Sequence, residues 1–306
     1  MRFSSLQSII CIMGPTASGK SALGLKLAKK LDAEIISVDS TQIYRGLDIG
    51  TAKPSQTERA EIPHHLIDIR DPSEPYSAGD FCQDAIKAIE SIKKKGKIPL
   101  LVGGTMLYYK ALQQGLALLP TANSKIRIKI EKEAHQYGWD ILYQRLTKID
   151  PKTAAKIKPH DAQRIQRALE VYELTSIPLS DLQAEQVPTS FYQFTNIALI
   201  PHDREELRQR IERRFNQMIQ QGLLAEVECL YQRGDLNSEL PAIRAVGYRQ
   251  LWNYLEGKIS YDIACQKAVT ATCQFAKRQL TWLRQWPNLQ RYDSHDEHLI
   301  NKLKLK

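Results

Sequence analysis

No stretch of this chain approaches the ~18 consecutive apolar residues that a membrane-spanning helix needs. The run Ile9–Met13 is too short for the core of a secretion signal and leads straight into a glycine-rich loop, so a cytoplasmic protein with no membrane partner is expected. Cysteine is sparse: Cys11, Cys82, Cys229, Cys265 and Cys273 form no C-x-x-C pair. An odd, scattered set reads as reduced thiols and argues against a disulfide framework or a zinc site. His64-His65 is the only histidine cluster and lacks ligand spacing, so it reads as local structure. Acidic residues are outnumbered, 34 against 43 basic ones, for a net charge of +9 and a pI near 9.2. That excess favours a polyanionic partner, a nucleic acid or an acidic membrane face, although many basic enzymes have neither.

The most informative segment is Gly14-Pro15-Thr16-Ala17-Ser18-Gly19-Lys20-Ser21, which fits the phosphate-cradling pattern G-x-x-x-x-G-K-[ST]. A short β-branched run precedes it, and Ala22, Leu23, Leu25, Leu27 and Ala28 follow with good helix formers. Strand, loop and helix in that order aim backbone N–H groups and a helix N-terminus at an anion. Lys20 would add a point charge and Ser21 a hydroxyl for Mg²⁺. The pattern implies a diphosphate or triphosphate without fixing the chemistry.

With 306 residues, 42% of them hydrophobic and 25% charged, the chain has the composition of a globular protein of about two domains. Strand signals at Glu34–Val38 and Ile98–Val102 alternate with a helical pattern over Phe81–Lys94. Repeated βα units predict an α/β fold: a P-loop NTPase-like parallel sheet with helices on both faces. Ligands of such sheets sit at the carboxyl ends of the strands, where the P-loop, Asp39 and Gly103-Gly104-Thr105 all fall. From about Asn123 the chain turns helical and basic, with Trp139, Leu142, Tyr143, Leu146 and Ile149 at helical spacing. Ser124–Ile130 is ambiguous, because Ile126, Ile128 and Ile130 alternate as in a strand. Asp150-Pro151 opens a further helix by cap and proline, Asp161 to Leu174 is another, and Gln183–Ser190 reads as a polar linker. Strand character returns at Asn196–Ile200. Asp203 with Glu206 predicts a capping box for a helix through Gln221, and Ser260–Trp286 is helical. The expected organisation is residues 1–122 as the first part of the core, 123–196 as a mainly helical insertion domain, and 197–306 as the second part.

Asp39, ending a strand beside the P-loop, has three uses: to hold Mg²⁺, to act as a general base, or to cap the next turn. Arg204, Arg208, Arg210, Arg213 and Arg214 crowd one helix; Arg210 and Arg214, four apart, share a face able to clamp phosphate oxygens. The same run reads equally as a solvated basic face. Lys277, Arg278, Trp282 and Arg284 interleave charge with an aromatic. That mix suits single-stranded nucleic acid, and also an ordinary amphipathic helix with Trp282 in the core.

Several ordered blocks carry a resemblance. Gly14–Ser21, Ile36-Ser37-Val38-Asp39-Ser40, Asp48-Ile49-Gly50-Thr51-Ala52-Lys53-Pro54 and Leu101-Val102-Gly103-Gly104-Thr105-Met106-Leu107-Tyr108-Tyr109 are similar to blocks of the tRNA dimethylallyltransferase (tRNA isopentenyltransferase) family. Arg167-Ala168-Leu169-Glu170-Val171, Val246-Gly247-Tyr248-Arg249-Gln250 and Lys277-Arg278-Gln279-Leu280-Thr281-Trp282 continue in the family's order, so the resemblance runs from about Ile10 to Trp286. Eukaryotic members carry a C-terminal zinc finger; the segment after Trp286 has no cysteine and looks like the bacterial type.

The resemblance implies a monomeric, Mg²⁺-dependent prenyltransferase involved in tRNA modification. It would move a dimethylallyl group from dimethylallyl diphosphate to N6 of the adenosine next to the tRNA anticodon, position 37, releasing diphosphate. By similarity the P-loop holds the diphosphate, Asp39 is the base, Thr105 lies beside the adenosine, Arg214 stabilises the leaving group and Ser21 is the Mg²⁺ ligand. Contacts to the tRNA anticodon stem-loop would come from Asp39-Ser40-Thr41-Gln42, Thr105, Arg127, Gln163-Arg164-Ile165-Gln166-Arg167, Arg244-Ala245-Val246-Gly247-Tyr248-Arg249 and Lys277-Arg278-Gln279-Leu280-Thr281-Trp282-Leu283-Arg284. The rival readings are an adenylate dimethylallyltransferase acting on free AMP, a P-loop small-molecule kinase, and a non-enzymatic RNA-binding module. The last would leave the P-loop and Asp39 without a purpose.

Overall fold

The structure is a computed structural model and describes residues 9–117, 119–184, 192–294, 296 and 299–303. It divides into two compact units, one of Met1–Ala111 with Phe191–Lys306, the other of Leu112–Ser190.

The first unit begins β1 (Ile9–Met13), α1 (Lys20–Leu31), β2 (Ala33–Val38), α2 (Gln56–Glu61), β3 (His64–His65), α3 (Ala78–Lys94), β4 (Ile98–Gly103) and most of α4 (Met106–Gln114), whose last three residues fall in the second unit. Its strands, together with two later ones, make a six-stranded parallel sheet in the order β3-β2-β4-β1-β5-β6. β1 and β2 are buried at every residue, as strands covered on both faces must be. Ile10, Ile12, Ile35, Leu100, Val102, Ile197 and Leu199 pack with Leu23, Leu27 and Ala28 of α1 in one core. Alternate residues Cys11, Ile36, Leu101 and Ala198 point the other way and are equally buried. A capping box of Ser77 and Asp80 starts α3, whose Phe81, Ala85, Ala88, Ile89 and Ile92 are buried.

The second unit holds α5 (Ser124–Tyr137), α6 (Trp139–Ile149), α7 (Pro151–Ala154), α8 (Ala162–Thr175) and α9 (Leu179–Ala184). The ambiguous isoleucines lie in a helix. Asn123 caps it, Ile126 and Ile130 share its inner face one turn apart, and Ile128 is exposed. Asp150 caps α7 through the Thr153 amide (2.9 Å), with proline at the first helical position, and also accepts from the Ser180 amide (2.8 Å). Of the expected linker, residues 185–190 lie outside the described residues, while Gln183 and Ala184 end α9.

The first unit resumes with β5 (Phe194–Ile200), α10 (Arg204–Gln220), α11 (Leu223–Gln232), α12 (Tyr248–Leu255), α13 (Tyr261–Arg284), β6 (Leu289–Asp293) and α14 (Leu299–Lys302). Residues 194–196, expected at the end of the insertion, belong to β5 of the sheet. The capping box expected at α10 is corrected to a simpler cap. Asp203 accepts from the Glu205 amide, one residue before the N3 amide that a box uses. Among the described residues no helix is long and apolar enough to cross a membrane.

Candidate active site

The loop after β1 turns twice through left-handed backbone, at Ala17 (φ 60°) and Gly19 (φ 85°), before α1 starts at Lys20. Such turns gather successive N–H groups into a concave anion site. Ser18 Oγ is buried inside the loop with no hydrogen-bond partner among the described residues. Lys20 Nζ donates back to the Pro15 carbonyl (3.2 Å).

Gln279 of α13 ties this loop to the end of β4. Its Oε1 accepts from the Thr16 amide (2.9 Å) and its Nε2 donates to the Gly104 carbonyl (2.8 Å). Gly104 permits the approach, since a Cβ there would sit 2.3 Å from Gln279 Nε2; a Cβ on Gly103 would instead meet the Val38 carbonyl oxygen of β2 at 2.0 Å.

A cavity of about 410 Å³ opens here. Thr16, Ala17, Lys20 and Ser21 line it with Asp39-Ser40-Thr41-Gln42, Thr105, Arg214, Arg244 to Tyr248, Arg278 and Gln279. The expected catalytic residues Asp39, Thr105 and Arg214 therefore meet in one chamber of the first unit with Thr16, Ala17, Lys20 and Ser21 of the loop, while Gly14, Pro15, Ser18 and Gly19 do not line it. Asp39 Oδ1 accepts from the Thr41 amide (2.9 Å) and hydroxyl (2.6 Å), and Oδ2 has no hydrogen-bond partner among the described residues. One oxygen is pinned and the other remains available. Thr105 Oγ1 accepts from the Ser40 amide (3.0 Å), holding the two segments together.

The chamber is electropositive at its phosphate end. Burial lowers Lys20 to about 8; the Arg214 guanidinium adds to the fall and the Asp39 carboxylate opposes it. Burial also lowers Arg214, again opposed by Asp39. Two enclosed cations against one carboxylate make a site that favours an anion. Among the described residues no three His, Cys, Asp or Glu side chains cluster to hold a metal by themselves. Ser21 and Asp39 do bring oxygen donors to the chamber, and Mg²⁺ bound beside a phosphate substrate needs few protein ligands.

The structure places the residues expected at the RNA in different environments. Ile165 and Leu283 are fully buried and offer no side chain to RNA. Tyr248 and Gln279 are also buried, and they reach only the chamber. Lys277, Arg278, Thr281, Trp282 and Arg284 are exposed on α13 as expected, and Arg249 on α12. Leu280 packs partly against Leu207 and Ile211 of α10. In the second unit, Gln163 and Arg164 are exposed. Arg127 and Arg167 instead bind the buried Glu170, through Arg127 Nε (2.9 Å) and Nη2 (3.1 Å) and Arg167 Nη1 (2.7 Å), while Gln166 donates to Glu131 (2.9 Å).

The chamber also has an apolar wall that was not expected from the sequence. Ile211, Phe215 and Met218 line the chamber with Phe275 and Leu223. Their i, i+4, i+7 spacing beside Arg214 was the available signal.

Comparison with known proteins gives consistent matches. The IPP transferase family pattern fits residues 42–286. A tRNA dimethylallyltransferase of Coxiella burnetii (strain RSA 331 / Henzerling II) is 55% identical over 296 residues, 96% of this chain and 95% of that protein. The protein of that name from strain Dugway 5J108-111 is 56% identical over the same shares. Among solved structures, the tRNA isopentenylpyrophosphate transferase of Bacillus halodurans is 38% identical with a TM-score of 0.70, covering 96% of this chain and 94% of that one. A eukaryotic dimethylallyltransferase acting on tRNA is 31% identical with a TM-score of 0.78, over 94% of this chain and 74% of that one.

Proposed function

The chain belongs to the IPP transferase family, whose curated relatives here are tRNA dimethylallyltransferases, and on that premise we propose that this prenyltransferase moves a dimethylallyl group from dimethylallyl diphosphate to N6 of the adenosine beside a tRNA anticodon. The observation that carries the reading is Asp39, with Oδ1 pinned and Oδ2 unpartnered, in one chamber with the P-loop, Lys20 and Arg214.

The loop amides, Lys20 and Arg214 bind the diphosphate. As the allylic C–O bond breaks, its electron pair stays with the diphosphate, and these groups stabilise the growing charge most strongly in the transition state. Ser21 would hold Mg²⁺ through its hydroxyl, and the ion when bound would supply positive charge beside the leaving group. The N6 lone pair of adenine forms the new C–N bond. That nitrogen is a weak nucleophile, because its lone pair is delocalised and its proton is not acidic. Asp39 Oδ2 takes the proton as the bond forms. Thr105 holds Ser40 and, through it, the turn that carries Asp39. To reach the chamber the adenine must leave its stack, as in other enzymes that work on a flipped base. The basic surfaces of α13 and of the helical unit would hold flanking phosphates. The enzyme works as a cytoplasmic monomer in this reading.

Asp39→Asn tests it. Transfer should fall by ~10²–10⁴-fold, with tRNA affinity within about threefold of wild type, as expected when a proton acceptor rather than a binding group is lost. Near-normal turnover would remove Asp39 as the base.

A further inference from the structure

The structure assigns Glu226 of α11 a positioning role: it clamps the loop 48–52 as a wall between the reaction chamber and an outer groove, so that the allylic carbon meets adenine and not water. This rests on the transfer reaction proposed above. Glu226 lies 178 residues from Asp48 in sequence, yet its carboxylate takes three consecutive amides of the loop. Oε2 accepts from Asp48 N (3.0 Å) and Ile49 N (2.8 Å), and Oε1 accepts from Gly50 N (3.2 Å). Tyr248 Oη donates to Oε1 as a fourth bond (2.5 Å). The Tyr248 ring backs the loop so closely that a Cβ on Gly50 would stand 2.5 Å from it.

The wall continues into the base-bearing turn. Gln42 Nε2 donates to the carbonyls of Thr51 (3.2 Å) and Ala52 (3.3 Å), while its Oε1 accepts from Ser37 Oγ (2.8 Å). Gly50, Thr51 and Ala52 line the chamber; Asp48, Ile49 and Ala52 also line the outer groove, with Arg214 and Met218 shared between the two spaces. The loop is thus a partition one residue thick at Ala52. A carboxylate is the side chain suited to hold it, being acceptor-only with lone pairs for all four donors. Glu226 itself lines neither space and touches no reacting group.

Loosening the partition lets water compete. Water oxygen would bond to the allylic carbon, the C–O bond to diphosphate would break, and a water proton would pass to solvent, giving the allylic alcohol and free diphosphate. The readout is therefore the ratio of diphosphate released to prenyl transferred, measured with unmodified tRNA, dimethylallyl diphosphate and Mg²⁺. Wild type should give one. Glu226→Gln, which keeps one acceptor oxygen, should lose about tenfold in transfer and raise the ratio above one. Glu226→Ala should go further in both, and Tyr248→Phe, which removes one of the four bonds, should move the same way less. A merely structural residue would lower both products together with the melting temperature and leave the ratio at one, and that result overturns the assignment. An unaltered rate and ratio overturns it as well. Absence of transfer by wild type would instead refute the proposed reaction, so the two failures are distinct.

Discussion

Replacing Lys20 with methionine should stabilise the ligand-free protein while destroying the proposed diphosphate site. Lys20 titrates near 8 in the folded chain against 10.5 for a free lysine, chiefly because its ammonium is enclosed and faces Arg214. Below pH 8 both folded and unfolded chains carry the proton, and the fold bears the full cost of an enclosed charge. Between 8 and 10.5 the folded chain has released the proton and the unfolded chain has not, so wild-type stability rises with pH. Above 10.5 the penalty is gone. The gap corresponds to about 3 kcal/mol at pH 7. Solvent reaching the side chain and the lost bond to the Pro15 carbonyl reduce the net gain for Lys20→Met to about 2 kcal/mol. For a chain of this size that is about 3 °C in melting temperature. Thermal melts of both proteins at pH 7 and pH 10, without ligand, should show the variant ahead at pH 7 and the difference largely gone at pH 10. Adding diphosphate at about 100 times its Kd should raise the wild type by about 2.7 kcal/mol and the variant by nothing. A variant that melts below wild type at pH 7 would show the opposite, that Lys20 is a net stabiliser of the empty loop.

Glu170→Ala should cost about 3 kcal/mol, since it strands the guanidinium groups of Arg127 and Arg167 and the Asn123 amide around a buried position; urea unfolding of the full chain reads it, and a loss under 1 kcal/mol would contradict it. Arg164→Ala should leave the urea midpoint unchanged and reduce the salt slope of tRNA binding by about one, because Arg164 is exposed and only loosely paired with Asp161 (3.5 Å). Equal salt slopes for variant and wild type would place the RNA elsewhere. Arg167→Ala should behave oppositely and lower stability, because its two donors are committed to Glu170 and the Pro120 carbonyl.

The centre of the sheet was legible in the sequence because its strands announce themselves chemically. Ile9–Met13 and Ile98–Val102 are apolar runs ending in glycine-rich turns, and that combination has few other uses. β6 was not legible: Leu289-Gln290-Arg291-Tyr292-Asp293 is a polar edge strand with no alternation, and its pairing with β5 is a tertiary fact. The residues that line the chamber were readable where backbone chemistry fixes them, at the P-loop and Asp39. The Glu226 clamp was not, because a glutamate on an amphipathic helix gives no sign that three amides of loop 48–50 will come to it. Arg127 and Arg167 show a related limit. Family similarity placed them among the RNA contacts in a basic segment, but the buried carboxylate between them is visible only once the helices pack. Ile165 and Leu283 entered as members of contiguous blocks, and helical periodicity turned them inward.

The most direct test mixes the protein with unmodified tRNA, dimethylallyl diphosphate and Mg²⁺, with AMP and ATP offered as alternative acceptors or donors, and weighs the products by mass spectrometry. The expected product is tRNA carrying one added dimethylallyl group, at the adenosine beside the anticodon, with AMP and ATP unchanged. Prenylated AMP with unmodified tRNA, or ATP cleavage without prenyl transfer, would contradict it.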